Sequence, residues 1–256
     1  MTAAGESRTA LVTGGTSGIG RSIVERLSSE QMRVVFTGRD AARAADVAGR
    51  SSATFIRADA TDRLRCDRAV DDALAALGGR LDLFVSNAAL VFAAHLEDTP
   101  EAVFRELLEV NLTAAFRLSR ACFRIMRAQG RGSIVHIVSD AAIRGIHHIP
   151  AYTITKSGLL AMSETLAAEG APHGVRVNAV CPGAVIPGVQ STPAGYEHHA
   201  EDASTWGPAP SGRHGVGADI AEAVVWLASG AAAHVSGATL RIDGAASAAM
   251  RAVARA

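Results

Sequence analysis

Tyr152 and Lys156 form the pair of side chains whose types and spacing most directly suggest chemistry. They stand four residues apart in the segment AYTITKSGLLAMSETL, residues 151–166. That spacing places two side chains one turn apart on the same face of a helix. A free tyrosine titrates at about pH 10, and a nearby ammonium lowers the pKa of a phenol, which makes it a usable general acid or base. A buried tyrosine and a solvated lysine that fall four apart by chance are the plainer alternative.

The segment around this pair is predicted to be a helix that starts after Pro150. Proline suits the first turn of a helix because its backbone angle is already helical. Ser139 lies thirteen residues before Tyr152, after the apolar run at 133–138, which is typical of a buried strand. Apolar residues recur at helical intervals on one face: Leu159, Met162 and Leu166.

A glycine-rich turn near the N-terminus has the composition of a phosphate-binding site. The short apolar run ALVT, residues 10–13, leads into GGTSGIG, residues 14–20, and a helical pattern follows. Glycines let the backbone approach an anion, and a helix N-terminus attracts it. The spacing, Gly14-x3-Gly18-x-Gly20, differs from the more familiar G-x-G-x-x-G. A strand-to-helix turn that binds no ligand is the alternative.

The residues after the second predicted strand, at 33–37, indicate which dinucleotide would bind. The end of this strand faces the adenosine ribose, where an acidic residue binds the hydroxyls and an arginine suits a 2′-phosphate. Gly38 occupies the usual acidic position, and Arg39 follows. Asp40 is expected to cap the next helix. Unless Arg39 is only a solvated residue, these positions predict NADP(H) over NAD(H).

Three further polar residues follow predicted strands or interrupt a helix. Asp59 either accepts a hydrogen bond from the adenine amine or serves as a turn residue. Asn87 follows the fourth strand and precedes small residues that permit the close approach of a ligand. Asn111 lies in the middle of a long helical pattern, 99–128, which is expected to start with Thr99 as its cap and to contain a kink or break. A buried asparagine needs partners, so Asn111 is either a structural link or part of a polar site.

Strand and helix patterns alternate through most of the chain. The length suits one large α/β domain, and no linker interrupts residues 1–256. Such alternation predicts a doubly wound parallel sheet of about seven strands, with helices on both faces and right-handed crossovers. The segment 184–212 is rich in Gly, Pro, His and Ser, and we expect it to be a mobile substrate lid with Trp206 as its apolar anchor.

Composition excludes several classes of partner. The 25 basic residues balance the 25 acidic ones, so no excess points to nucleic acid. No run is long enough to span a bilayer, and the N-terminus lacks the apolar core of a signal peptide. The three isolated cysteines favour a reducing cytoplasm. The adjacent histidine pairs, at 147–148 and 198–199, do not offer the convergent face that a metal needs, so we expect no metal.

The order and spacing of these motifs resemble the short-chain dehydrogenase/reductase family over nearly the whole chain. Each motif is weak by itself, but the set is specific. Within the family, the chain looks like the NADP-preferring reductases of 3-oxoacyl groups on an acyl carrier protein. The resemblance implies a Rossmann-like fold and NADPH-dependent reduction of a ketone to a secondary alcohol. It is carried by Thr13-Gly14, Gly18, Gly20, Asp59, Asn87-Ala88, Asn111, Ser139, Tyr152, Lys156 and Pro182-Gly183.

The resemblance also implies a role for each matched residue. Tyr152 would be the catalytic acid or base, Lys156 would assist it and hold the nicotinamide ribose, and Ser139 would hydrogen-bond the substrate carbonyl. Asn111 would hold a water behind Lys156 that links the proton relay to solvent. The implied cofactor-binding residues are Gly14, Thr16, Ser17, Gly18, Ile19, Gly20, Arg39, Asp59, Ala60, Asn87, Ala88, Tyr152, Lys156, Pro182, Gly183 and Val185.

Three positions depart from the family pattern. Ala89 and Ala245 stand where glycine is frequent, and Pro187 stands where a threonine often contacts the nicotinamide amide. That contact is therefore lost or made by other groups. None of the three belongs to the implied catalytic set, so activity is expected.

Substrate, assembly and two other functions stay open at this point. The chain also suits an NAD-dependent alcohol dehydrogenase working oxidatively, or a non-catalytic dinucleotide-binding sensor or scaffold. The family implies a homotetramer or homodimer in which long helices pair across a two-fold axis. The expected pocket residues suggest a partly apolar carbonyl substrate: Ile143, His147, Ile149, Val185, Tyr196 and Trp206.

Overall fold

Seven parallel strands form the central sheet of the computed structural model, which describes residues 7–187, 192–196 and 207–248. Their order is β3-β2-β1-β4-β5-β6-β9. Two shorter strands, β7 and β8, pair in parallel as a separate sheet. The bounds are β1 Thr9–Val12, β2 Arg33–Gly38, β3 Thr54–Arg57, β4 Leu83–Ser86, β5 Gly132–Ile137, β6 Val175–Pro182, β7 Val185–Ile186, β8 Gly215–Val216 and β9 Thr239–Ile242.

Helices cover both faces of this sheet. Leu11 and Val12 of β1 point to opposite faces because strand side chains alternate, and both are buried. Val12 packs in the core beneath α1, α2 and α7, whereas Leu11 packs beneath α3, α5 and α6. The predicted doubly wound α/β fold is confirmed. The helices are α1 Gly18–Ser29, α2 Ala41–Ser51, α3 Arg63–Ala76, α4 Glu101–Leu108, α5 Ala114–Gln129, α6 Pro150–Gly170 and α7 Gly217–Ala228.

The strand order reverses direction between β1 and β4. The chain builds outward from β1 to β2 and β3, and then returns to add β4 on the other side of β1. In open parallel sheets, such a reversal leaves a crevice at the carboxyl ends of the strands, and ligands bind there. The glycine-rich turn after β1 and the Asn87 turn after β4 both lie at this crevice.

The long helical pattern predicted over 99–128 is interrupted, as its length suggested. Glu109–Thr113 form a π-helical turn between α4 and α5. Turns of this kind widen the helix by one residue and are frequent at functional sites. The expected cap was wrong by one residue: the helix begins at Glu101 with Pro100 as N-cap. The Thr99 hydroxyl instead donates to the His95 carbonyl at 2.8 Å.

The segment expected to be a lid is described only in part. Residues 188–191 and 197–206, which include Trp206, lie outside the described ranges. The segment begins with β7, which pairs with β8 immediately before α7. This small sheet was not predicted, because strands of two residues are too short to show any alternation.

Candidate active site

Tyr152 and Lys156 lie together in the first two turns of α6, as their spacing predicted. The Lys156 Nζ atom is 5.6 Å from the centre of the Tyr152 ring. It donates a hydrogen bond to the Ile137 carbonyl at the end of β5, at 2.9 Å. Tyr152 is 5% exposed and Lys156 is 2% exposed. The strand therefore fixes the ammonium beside the phenol and away from bulk water.

Burial lowers the pKa of Lys156 from 10.5 to about 8. The charged form loses hydration inside the protein, and this outweighs the opposing effect of Cys181. At neutral pH the group is still mostly protonated. Its charge can therefore stabilise a neighbouring phenolate, as a general acid or base at that position requires.

Lys156 is the only lysine of the chain, which makes this pKa directly measurable. With ¹⁵N-lysine labelling, a single side-chain resonance is expected to titrate with a midpoint near 8 in the cofactor-free protein. The resonance should be missing in Lys156→Arg, which confirms the assignment. A midpoint near the ordinary value of 10.5 would show that the ammonium is solvated and that its placement here is wrong.

Ser139 follows β5 and caps the short turn Asp140–Ala142. Its hydroxyl accepts from the Ala141 amide at 3.1 Å and donates to Asp140 Oδ1 at 3.3 Å. The turn lies against α6, where the Ser157 hydroxyl donates to the Ala142 carbonyl at 3.4 Å. Because Ala141 and Tyr152 pack in one apolar cluster, the strand end carries Ser139 to the start of α6.

Asn111 links three segments from inside the π-helical turn. Its Oδ1 accepts from the Leu90 amide at 2.7 Å, and its Nδ2 donates to the Leu90 carbonyl at 2.9 Å and to Thr155 Oγ1 at 3.1 Å. Thr155 in turn donates to the Tyr152 carbonyl at 2.7 Å. The side chain thus reaches the backbone of Tyr152 through Thr155, whereas the implied contact was a water behind Lys156.

Thr155 and His136 are buried polar residues that the sequence did not single out. Thr155 directly precedes Lys156 inside α6. Threonine is a mediocre helix former, and this is the one feature of the sequence that could have pointed to its bond with Asn111. His136 Nδ1 lies 2.7 Å from Ser163 Oγ, and Nε2 lies 2.9 Å from Ser119 Oγ. Burial and the Lys156 charge lower the pKa of His136 to about 3. A neutral imidazole therefore ties β5 to α5 and α6 directly behind the lysine.

The glycine-rich turn forms an open cradle at the N-terminus of α1. Gly14 and Gly18 have positive φ angles of 66° and 52°, which favour glycine. A Cβ at Gly20 would lie 2.1 Å from the Gly14 carbonyl oxygen, so no larger residue fits. Asn87 Nδ2 donates to the carbonyls of Thr13 and Gly14 at 3.0 and 3.2 Å. The amide thereby joins the turns after β1 and β4 across the crevice.

Thr13 completes this junction, although the sequence showed it only as part of a motif. Its hydroxyl oxygen accepts from the backbone amides of Asn87 and Ala88 at 2.9 and 3.1 Å. Thr16, Ser17 and Ile19 occupy the remaining positions of the glycine turn, with Ser17 as N-cap of α1. The backbone of both turns is therefore held rigidly around a space without large side chains.

The expected ribose edge lies beside this cradle. Gly38, Arg39 and Asp59 line the same cleft as Gly14 and Ala88. Within the described part of the chain, the Arg39 side chain makes no hydrogen bond or ion pair. Ala60, from the Asp59 turn, lines the cleft as well. An exposed arginine without a protein partner is available to an anionic ligand.

Asp40 and Asp59 both have local structural roles. Asp40 caps α2 by accepting from the Arg43 amide at 3.0 Å, as predicted, and also pairs with the Arg43 side chain at 3.3 Å. Asp59 Oδ1 accepts from the amide and hydroxyl of Thr61 at 3.0 and 2.9 Å. Of the two interpretations of Asp59, the turn is thus present in the structure, and the carboxylate still borders the cleft.

Pro182, Gly183 and Val185 lie at the far end of the crevice, where β6 leads into β7. The Gly183 amide donates to the Ile242 carbonyl at 3.2 Å, and a Cβ on it would lie 2.8 Å from the Asp243 Cβ. Of the three departures from the family pattern, Ala245 has a structural cost, because its φ of 71° is in the region that favours glycine.

An apolar wall stands next to Tyr152. The buried residues Val91, Ala141 and Ile149 pack with the Tyr152 ring. Nearby, the Phe92 and Tyr196 rings meet edge to face at 5.3 Å. The three buried side chains hold the Tyr152 ring in an apolar environment.

At the rim of this wall, the rings of His95 and His148 lie 4.1 Å apart. Among the described residues, no group of three or more His, Cys, Asp or Glu side chains is arranged to hold a metal ion. The helices of the described ranges also include none that is long and apolar enough to cross a bilayer.

Comparison with known proteins assigns this fold and site to a class. A family model described as enoyl-(acyl carrier protein) reductase matches residues 14–247. 3beta-hydroxysteroid dehydrogenase 1 of Eggerthella lenta is 32% identical over 250 residues, covering 93% of each chain. The chain therefore belongs to the short-chain dehydrogenase/reductase family, and it is an oxidoreductase that acts on CH–OH or C=O groups.

Two further matches are of the same kind. The 3-oxoacyl-[acyl-carrier-protein] reductase MabA of Mycobacterium avium is 33% identical over 238 residues, covering 93% of this chain and 89% of MabA. A crystal structure of a dehydrogenase/reductase from Sinorhizobium meliloti 1021 superposes with a TM-score of 0.83 at 35% identity, covering 93% of this chain and 94% of that one. Relatives of this kind use a nicotinamide dinucleotide, and the glycine cradle with Arg39 at its edge fits such a cofactor.

Proposed function

We propose that this protein is an NADPH-dependent carbonyl reductase that converts a ketone reversibly into a secondary alcohol. The observation that carries the proposal is the buried pair in α6, with Lys156 Nζ bound to the Ile137 carbonyl and 5.6 Å from the Tyr152 ring. Asn111, Ser139, Tyr152 and Lys156 are the proposed catalytic set. We further propose that the chain forms one dinucleotide-binding and catalytic domain.

Each proposed catalytic residue has a distinct task. The glycine-rich turn and Arg39 would hold the dinucleotide, whose nicotinamide would supply a hydride for the carbonyl carbon. Ser139 donates a hydrogen bond to the oxygen, where negative charge develops, and Tyr152 donates the proton that neutralises it. Lys156 stabilises the phenolate that remains, and Asn111 fixes the start of α6 through Thr155. Oxidation of the alcohol follows the same steps in reverse.

The preference for NADPH is proposed from residues 38–40. Arg39 is free to bind a 2′-phosphate, whereas Asp40 is already engaged with Arg43. A Cβ on Gly38 would lie 2.5 Å from Thr16 Cγ2, so an acidic side chain cannot replace this glycine without moving Thr16. The position that often carries a carboxylate for the ribose of NAD is therefore held by a glycine that packs against Thr16.

The apolar wall beside Tyr152 supports a ketone on a largely hydrocarbon skeleton. The relatives named for 3-oxoacyl and hydroxysteroid substrates suggest two such skeletons. We therefore propose an initial panel of a 3-oxoacyl thioester, a 3-oxosteroid and a simple cyclic ketone. An enoyl thioester belongs in the panel too, because the matching family model is described by that reduction.

The test is steady-state kinetics of the wild-type protein on this panel with NADPH and NADH. Reduction of at least one ketone, with the higher kcat/KM for NADPH, is the expected result. A higher kcat/KM for alcohol oxidation with NAD would favour the oxidative dehydrogenase instead. Tight cofactor binding without turnover of any substrate would favour the non-catalytic sensor or scaffold.

We also propose that the protein assembles as a homotetramer, or failing that a homodimer, in a reducing cytoplasm. Phe116 on α5 and Ile154 on α6 are each 49% exposed, which is unusual for large apolar side chains. All three cysteines are free and buried. Light scattering at micromolar concentration should give a multiple of 26.4 kDa, and a monomeric mass would contradict the assembly.

A further inference from the structure

An ion pair beside Ser139 joins the turn after β5 to the end of the described chain. Arg144 donates to Asp140 Oδ2 through Nε at 3.1 Å and also through Nη2. Its Nη1 donates to the Ala246 carbonyl at 3.1 Å. Asp140 is only 5% exposed, so Arg144 neutralises a buried charge.

The two carboxylate oxygens of Asp140 bind different partners. Oδ2 binds Arg144, whereas Oδ1 accepts the proton of the Ser139 hydroxyl at 3.3 Å. A hydroxyl has one proton, so Ser139 cannot donate it to Asp140 and to a substrate oxygen at once. The proton must therefore turn away from Asp140 before Ser139 can stabilise the developing charge. How easily it turns depends on how much negative charge the carboxylate keeps.

The C-terminal segment holds Arg144 in place. Asp243 accepts from the amides of Ala245 and Ser247 at 3.0 and 2.9 Å, which fixes the turn that presents the Ala246 carbonyl. Burial alone would raise the pKa of Asp243, but the hydrogen bond from the Ser247 hydroxyl, the two amide hydrogen bonds and the Arg144 charge lower it. Arg144 thus places a positive charge near both Asp140 and Asp243.

We propose that Arg144 is a positioning residue for the reaction. Its guanidinium offsets the charge of Asp140, so that Ser139 can turn its proton to the substrate oxygen. The inference rests on the carbonyl reduction proposed above. Without Arg144, the carboxylate would retain the Ser139 proton and repel the negative charge that develops on the oxygen. Both effects act on the transition state and not on substrate binding.

The test compares four variants with the wild type on the ketone of the panel that it reduces fastest. Arg144→Met keeps an unbranched aliphatic stem without the charge and should lower kcat about tenfold or more, with KM within about threefold. Asp140→Asn removes the charge that Arg144 offsets. The double variant should therefore recover kcat to within about threefold of Asp140→Asn alone. Arg105→Met, which breaks the exposed i,i+4 pair with Glu101, is the matched control and should leave kcat unchanged.

Recovery in the double variant shows that the low kcat of Arg144→Met comes from the unpaired charge of Asp140. Because removing both partners of a buried pair also restores stability, kcat is compared at a temperature at which every variant is folded, as shown by its Tm. An Arg144→Met enzyme with kcat near wild type overturns the inference. A double variant that stays as slow as Arg144→Met also overturns it. The same holds if the loss of kcat in Arg144→Met is explained by the fraction of protein that its lower Tm leaves unfolded. A wild-type protein that reduces no ketone of the panel overturns the proposed function itself, so the two failures are distinct.

Discussion

Tyr152→Phe is expected to lower kcat/KM for ketone reduction by about 10²- to 10⁴-fold, the range of a lost general acid. The substitution removes one hydroxyl and keeps the ring that packs with Val91, Ala141 and Ile149. Stability should therefore change little. Lys156 would keep its hydrogen bond to Ile137, so that the lysine and the cofactor cradle stay in place.

The controls for this variant are cofactor affinity and thermal stability. The Kd for NADPH should stay within about threefold of wild type, because the cradle and Arg39 are untouched. A variant that is slow and also loses NADPH or unfolds early would not be informative about proton transfer, so both values are measured first. Turnover near the wild-type rate in a folded, NADPH-bound variant would disprove the role of Tyr152.

Arg39→Ala is expected to weaken NADPH binding about ten- to a hundredfold and to leave NADH nearly unchanged. A charge-assisted pair with a 2′-phosphate contributes about 1.5–3 kcal/mol, which corresponds to that range. NADH lacks the 2′-phosphate, so its affinity does not depend on this contact. The measurement is the Kd of both reduced cofactors by fluorescence titration, at matched ionic strength because such contacts are screened by salt.

Arg43→Ala is the matched control for this prediction. Arg43 lies four residues further along the chain and pairs with Asp40 at 3.3 Å, so its loss changes the net charge equally without removing the Arg39 guanidinium. Its NADPH affinity should stay within about threefold of wild type. Equal weakening of NADPH and NADH by Arg39→Ala would contradict the phosphate contact, and so would an equal effect of Arg43→Ala.

Much of the fold could be predicted because its signals are local. The strands predicted at 33–37 and 133–138 are observed within one residue of those bounds, as β2 Arg33–Gly38 and β5 Gly132–Ile137. Asp40 caps α2 as its position suggested, by accepting from the amide of Arg43, three residues further along the chain. Parallel strands buried on both faces give continuous apolar runs, which a sequence displays directly.

The parts that could not be predicted depend on partners distant in the chain. Asn111 stood out as a polar residue in an apolar helix, but its partners lie 21 and 44 residues away, at Leu90 and Thr155. The Arg144 bond to Ala246 spans 102 residues. Local periodicity carries no information on such pairs, because the crossover of each helix over the sheet decides which ends meet.

Transfer of deuterium from the cofactor to the carbonyl carbon is the direct test of carbonyl reduction by this protein. Wild-type protein is given NADPH deuterated at C4 of the nicotinamide and a ketone of the panel, and the product is analysed by mass spectrometry and NMR. We expect a secondary alcohol with one deuterium on the carbon that bears the oxygen, and almost no such product with Tyr152→Phe. Deuterium on a carbon of a former C=C bond, or NADPH consumption without a labelled alcohol, would contradict carbonyl reduction.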